Sequence, residues 1–276
     1  MRSLASCDIN TALGHEIRQT MTVPEILEVE MYRRTAELVV GRTVRTFQTN
    51  DAIVVKDGLQ IQSLVGSCVR EVSRHGKLMT IHLDHGSIDL HFGMAGRIIV
   101  DGRSPIDELV YGASSNDRWI RFVMAFDEGF LAITDPRRFA RVSTSQKTSA
   151  LGPDAFSEGL FKLVQPRLPA RGCIKGVLLN QGVIAGLGNM LVDEILSRSK
   201  VDPRRDISTL SLSAIRKIFS LVVVILPELL DRGGSHAGDL ASELRVPGSR
   251  CPYDAHELAR DTVAGRTTYW CPQHQK

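Results

Sequence analysis

From Pro24 onward, Ile26, Val29, Tyr32, Arg33, Ala36, Val39 and Val40 recur at i, i+3 and i+4 spacing, which predicts an amphipathic helix closed by Gly41. Between about 43 and 145 the pattern shortens to strand-like runs: Lys77 to Leu83, Ile88 to Phe92, Ile98 to Val100, Trp119 to Phe126 and Phe130 to Thr134. Asp84-His85-Gly86 and Asp127-Glu128-Gly129 punctuate these runs as turns. After Leu151-Gly152-Pro153-Asp154 the helical period returns, around Ile174 to Asn180, Asn189 to Arg198 and Ser211 to Asp231. The expectation is an α+β chain: an N-terminal helix with an antiparallel β-sandwich over 24–150, a helical domain over 151–242 and a short hairpin over 243–276.

Composition narrows this only slightly. A chain of 276 residues with 43% hydrophobic content can bury a core in two modest domains, and a net charge of +3 permits a polyanionic partner without demanding one. Five cysteines spread from Cys7 to Cys271 do not form a secreted disulfide framework. Leu221 to Leu226, the longest apolar stretch, is far too short to span a bilayer and reads as a buried helix segment. No signal peptide is evident, so the expected compartment is the cytoplasm. Residues 1–23 lack sustained periodicity and balance Asp8 and Glu16 against Arg2 and Arg18, as an appendage would.

Chemistry concentrates first at the carboxyl end. Cys251-Pro-Tyr-Asp254 and Cys271-Pro-Gln-His274 are two knuckles flanking a strand-rich hairpin, the spacing of a zinc ribbon, because a tetrahedral ion needs ligands from two short turns held face to face. Cys251, Cys271 and His274 are good ligand types; the fourth is Asp254, where a second cysteine would stand, or His256, the better donor two residues on. An ordinary hairpin with buried thiols is the competing reading.

Several separated segments, in order, resemble the formamidopyrimidine-DNA glycosylase / endonuclease VIII family. They are Pro24-Glu-Ile-Leu-Glu-Val-Glu30, Gly76-Lys77, His91-Phe-Gly-Met-Ala-Gly96, Asp135-Pro-Arg-Arg-Phe-Ala140, Gln181-Gly-Val-Ile-Ala-Gly-Leu-Gly-Asn189 and the terminal ribbon. The resemblance implies a helix-two-turns-helix DNA-binding domain and a bifunctional enzyme that excises an oxidised base from double-stranded DNA and then cuts the strand, working as a monomer. It implies Pro24 as an amine nucleophile, Glu25 as the general acid and Lys77 as a phosphate contact beside the lesion. His91, Met94, Arg137 and Phe139 would lie in the two loops that fill the gap left by a flipped nucleotide. Asn189, also a natural helix N-cap, would help cradle a phosphate with Arg266, and Lys175 would join the same basic face.

Two departures matter. Pro24 is internal as written, and the nitrogen of an internal proline is a tertiary amide with no nucleophilic lone pair. Translation starting at Val23, with its methionine removed, would expose the amine; otherwise the chain is a non-catalytic damaged-DNA-binding protein. Thr22-Val-Pro-Glu25 also reads simply as a capping box. The stretch from Gly233 to Pro247 is shorter than the family loop that caps the extruded base, which leaves lesion choice open, while the Pro-Glu-Ile-Leu-Glu-Val-Glu opening favours oxidised purines. A zinc-stabilised interaction module with no nucleic-acid role is the third reading.

Overall fold

The computed structural model describes residues 23–49, 51–56, 58–106, 117–144 and 150–276; Thr22 and the rest of the expected appendage before Val23 lie outside them. The first helix, α1, spans Ile26–Ala36 and tightens into a 3-10 turn over Glu37–Val39. Its apolar stripe divides between two cores. Ile26 and Leu27 pack into a helical cluster, and Val29, Tyr32, Ala36 and Val39 pack into the β-sandwich. Val40 is exposed and Arg33 pairs with Glu30 and Glu37, so these two expected positions of the stripe lie off it.

The sandwich contains β1 (Val44–Thr49), β2 (Val69–His75), β3 (Leu78–Leu83), β4 (Gly86–His91), β5 (Arg97–Val100), β6 (Ile120–Phe126), β7 (Phe130–Thr134) and β8 (Arg141–Ser143). These form two antiparallel four-stranded sheets, ordered β1-β6-β7-β5 and β2-β3-β4-β8. Alternation drives the layering: along β6, Phe122, Met124 and Phe126 point into the core while their neighbours are half-buried. Every strand expected from the sequence is present, with ends differing by a residue or two. β1, β2, β8 and a short helix α2 (Gly58–Gln62) were not expected. β2 reads Val-Arg-Glu-Val-Ser-Arg-His and buries only Val69 and Val72 fully, too weak an apolar signal to register.

Beyond the sandwich follow α3 (Leu160–Val164), α4 (Ile174–Leu179), α5 (Asn189–Ser199) and α6 (Leu212–Asp231). Ser211 caps α6, its Oγ accepting from the Ala214 amide at 3.2 Å. The segment Leu221 to Leu226 is amphipathic rather than buried: Val222, Ile225 and Leu226 face the core, but Val223 and Val224 are exposed. Strands β9 (Ala259–Val263) and β10 (Arg266–Trp270) pair as a terminal antiparallel hairpin. Among the described residues no helix is long and apolar enough to cross a membrane.

Candidate active site

Two helix N-termini meet where the two large cores join. Each leaves amides without intrahelical partners, and two glutamates of α1 satisfy them. Glu25, the N-cap of α1, reaches across to α5, where its carboxylate accepts from the amides of Gly188 (2.8 Å), Met190 (2.8 Å) and Leu191 (3.2 Å). Glu28 returns to the Glu25 amide at 2.8 Å and also accepts from the Ser235 amide and hydroxyl. Helix α1 therefore starts after Glu25, with its reciprocal pair at Glu25 and Glu28 and Pro24 just outside, rather than at Thr22. The approach requires glycine at 188, where a Cβ would lie 2.3 Å from the Glu25 carboxyl carbon.

The N-cap of α5 is Gly188, not Asn189, and the cradle expected to hold a phosphate is filled by the Glu25 carboxylate. Asn189 instead lines a cavity, its Nδ2 donating to the Thr267 carbonyl at 2.9 Å. That cavity, about 910 Å³, is walled by Val23, Pro24, Glu25, Lys77, His91 and Met94 on one side and by Asn189, Arg245, Arg266 and Tyr269 on the other. It is large enough for a nucleotide.

Burial sets the electrostatics here. Glu25 is pushed up to about 7, chiefly because burial penalises its charge, with Lys77 opposing and Glu28 reinforcing the shift. Burial also pushes Lys77 below the ordinary lysine range, against the pull of Glu25 and Glu28. His91 is driven down by burial and by the positive charges of Lys77 and Arg141. The cavity thus holds a carboxyl able to give up a proton near neutrality, with Lys77, Arg245 and Arg266 as the basic groups on its wall.

Two loops stand at its rim. Gly93 has φ +59°, and a Cβ there would sit 2.4 Å from the Phe139 carbonyl oxygen, so the His91–Gly96 loop rests directly on the loop carrying Phe139. Buried Asp135 shapes the latter by accepting from the amides of Arg137, Phe139 and Ala140. Met94 and Phe139 are 38% and 51% exposed, so neither is a core residue. The Arg137 guanidinium lies 5.1 Å from the Phe139 ring centroid. Arg137 and Phe139 flank the cavity without lining it.

Comparison with known proteins agrees with this architecture. Residues 23–142 match the formamidopyrimidine-DNA glycosylase N-terminal domain, and residues 151–239 match the H2TH domain of the same glycosylase. A formamidopyrimidine-DNA glycosylase of Bacillus cereus is 31% identical over 279 residues, covering 91% of this chain and 98% of that one. The chain belongs to the formamidopyrimidine-DNA glycosylase family. A second relative, from Halalkalibacterium halodurans, is 30% identical over 92% of this chain and 100% of its own. Among solved structures, the Lactococcus lactis Fpg in complex with DNA containing an abasic site superposes with a TM-score of 0.77 at 26% identity, covering 92% of this chain and 100% of that one.

Within this glycosylase fold, Lys175 corrects its expected role. It is fully buried, its Nζ donating to Asp193 (2.6 Å) and to the Thr268 hydroxyl (2.7 Å), so it braces α4 against α5 and β10 and is not part of a basic outer face. Arg266, at the start of β10, is exposed and lines the cavity.

At the far end of the hairpin, Cys251, Asp254 and Cys271 bring their donor atoms within 4.8 Å of one another. The Cys271 thiol lies 3.4 Å from both Asp254 oxygens, and burial is the main cause raising the Cys251 thiol to about 11. The donor set suits a divalent ion, with Asp254 rather than His256 in the cluster. His256 is exposed and only its backbone amide reaches Asp254. His274 also stands outside the cluster, its Nε2 3.0 Å from the Ser197 carbonyl and its ring stacked on Tyr253.

Sequence reasoning missed Glu28, Asp135, Asp193 and Arg245. The Glu25/Glu28 spacing of a capping box was visible. Asp135 bonds within its own loop, to amides two to five residues on, while Asp193 and Arg245 meet across 52 residues, a separation that no local pattern reports.

Proposed function

We propose that this chain is a bifunctional DNA glycosylase and abasic-site lyase of base excision repair, acting as a cytoplasmic monomer on damaged double-stranded DNA. The observation that carries the reading is Pro24 beside a buried Glu25 of raised pKa in a nucleotide-sized cavity with Lys77 and Arg266 on its wall. Solved structures of Lactococcus lactis Fpg carry DNA with an abasic site, an oxidised pyrimidine or Fapy-dG. Oxidised purines remain the favoured lesion here.

In the proposed reaction the free amine of Pro24 attacks C1′ of the extruded nucleotide, the glycosidic bond breaks, and the base leaves with that bond's electron pair. Glu25 gives its proton to the sugar ring oxygen or to the leaving base. Ring opening yields an iminium ion, which acidifies the C2′ proton; its removal expels the 3′ phosphate. Lys77 and Arg266 hold flanking phosphates, and Asn189 lines the same cavity. Met94, Arg137 and Phe139 fill the gap in the duplex.

The reaction needs Pro24 as a terminal amine, which is less basic than a lysine. Translation from Val23 with its methionine removed supplies it, and the family match that begins at residue 23 supports that start. Zinc bound by Cys251, Asp254 and Cys271, with His274 the nearest further candidate, would tie the ends of the hairpin together and take no part in the chemistry.

Borohydride trapping on an abasic duplex tests the proposal, comparing the 276-residue chain with one beginning at Pro24. A covalent adduct only in the shorter chain, lost when one residue is left before Pro24, is expected. Binding without trapping in either form would leave a lesion-sensing protein instead.

A further inference from the structure

The loop Asp135-Pro-Arg-Arg-Phe-Ala140 carries two arginines that look alike in the sequence. The second of them is already engaged. The Arg138 guanidinium grips Asp51 through two nitrogens, Nε at 2.7 Å and Nη2 at 2.8 Å. Asp51 is 3% exposed, and its Oδ1 also accepts from the amides of Ile53 and Val54. The Arg138 guanidinium is the main cause holding that carboxyl below the ordinary aspartate range. Arg121 closes the arrangement, its Nε donating to the Asp135 carbonyl at 2.7 Å and lying 3.7 Å from the Asp51 carboxylate.

Arg138 needs such a grip. Its φ of +59° lies in the left-handed region that residues other than glycine seldom adopt, and a conformation of that kind persists only where its surroundings over-determine it. Asp135 holds the amides on either side, those of Arg137 and Phe139, and Asp51 holds the side chain between them. The loop is thus clamped from two directions, and Phe139 is left 51% exposed. Offering the Arg138 guanidinium to a phosphate instead would strip a buried carboxylate of its bidentate partner.

We propose that Arg138 is a positioning residue and not a DNA contact: locked to Asp51, it fixes the loop on which Arg137 and Phe139 enter the duplex. This rests on the wedge role proposed for that loop. The tandem arginines then divide the work, one serving the duplex and the other serving the loop.

The test uses Asp51→Asn, Arg138→Met and the double variant, in the 276-residue chain and in the form beginning at Pro24. Asparagine keeps an oxygen for the Ile53 and Val54 amides, and the double variant leaves neither charge without its partner, which guards against misfolding. The probe is a duplex with a tetrahydrofuran abasic analogue and 2-aminopurine as the neighbouring base, whose fluorescence rises when an inserted side chain unstacks it. All three variants are expected to lose most of that rise, the double no more than either single, because the two residues act as one pair. Single-turnover excision of 8-oxoguanine at saturating protein falls roughly tenfold or more, since the wedge is misplaced. The salt slope of duplex binding stays as it was.

A full fluorescence rise in the variants overturns the proposal, even where their melting temperature falls, because the pair then serves stability alone. So does a salt slope made shallower by about one contact in Arg138→Met, which marks a phosphate contact. Should neither form of the unaltered chain excise 8-oxoguanine, the enzymatic reading fails by itself and the fluorescence still decides the role of Arg138. An unaltered chain that binds the probe without any rise sinks the wedge and this proposal together.

Discussion

At the residue scale the decisive group is Glu25, a carboxyl held partly protonated near neutrality by burial despite three backbone donors. As a general acid it loses its proton as the pH rises through about 7, so base excision falls along an alkaline limb near that pH. Glu25→Gln should abolish that limb and slow excision by about 10²-fold or more, while leaving a measurable adduct at a preformed abasic site. Excision that keeps its alkaline limb in the variant sinks the assignment. The same shift links to stability. The folded chain holds this proton more tightly than the unfolded chain, so its contribution is full below the ordinary value of 4.5 and is lost as the pH rises through about 7. The unfolding free energy of the parent should therefore drop between pH 5 and 8 by more than that of Glu25→Gln, a difference on the order of 3 kcal/mol. Lys175 and Arg266 separate two fates of a basic residue. Lys175→Met removes a buried cation from Asp193 and should cost about 1–3 kcal/mol of stability with no change in the salt slope of DNA binding. Arg266→Ala should leave stability intact and make that slope shallower by about one phosphate contact. A shallower slope for Lys175→Met, measured by titration at several salt concentrations, would contradict its bracing role.

At the element scale, the two rim loops work as a unit because Gly93 lies against the backbone of Phe139. Gly93→Ala places a methyl group into that carbonyl at a positive φ, so it should destabilise the fold by about 1–3 kcal/mol and displace Met94 from the cavity mouth. Excision should fall further than binding to an abasic duplex; equal effects on both would mean the loops serve only to bind. These loops also mark how far the sequence could be read. The long periodic helices α1, α5 and α6 and the alternating strands β3, β6 and β7 were legible because each carries its own apolar signal over several turns or pleats. β2 was not, since Arg70, Glu71, Arg74 and His75 dilute its pattern and its burial comes from pairing with β3. The motif segments containing Pro24, Glu25, Lys77 and Met94 were legible and converge on one cavity. What could not be read was which partner each polar group takes: Asn189 looks like a cap, yet Glu25 bonds the amides at that helix start from 163 to 166 residues away, and Lys175 looks solvated until Asp193 and Thr268 close over it.

At the scale of the whole molecule the cavity exists only because three cores converge on it. Helix α1 sends Ile26 and Leu27 into the helical core and Val29 and Tyr32 into the sandwich, so Pro24 and Glu25 sit at the junction of the two. The third cluster, built around Leu240, Cys251, Leu258 and Cys271, carries the hairpin that supplies Arg266, Thr267 and Tyr269 to the opposite wall. The hairpin is stitched to the end of α5 through Gln275 and Lys276, which bond to Val201 and Lys200. Four apolar or thiol side chains are a small core for an element that must hold a wall in register, and small modules of this kind are usually stapled by an ion. Metal analysis of the purified chain should therefore find one zinc per molecule, and either chelation or Cys251→Ser should release the hairpin. The sandwich and the helical core would persist, so the main unfolding transition should move little. Affinity for an abasic duplex should nevertheless fall by at least about tenfold, because Arg266 and the Thr267 carbonyl that anchors Asn189 and Arg245 are displaced together. A metal-free chain that binds the duplex as tightly as the purified one would show that the thiol cluster packs the hairpin without an ion, and that the wall holds its position through its contacts with α5 alone.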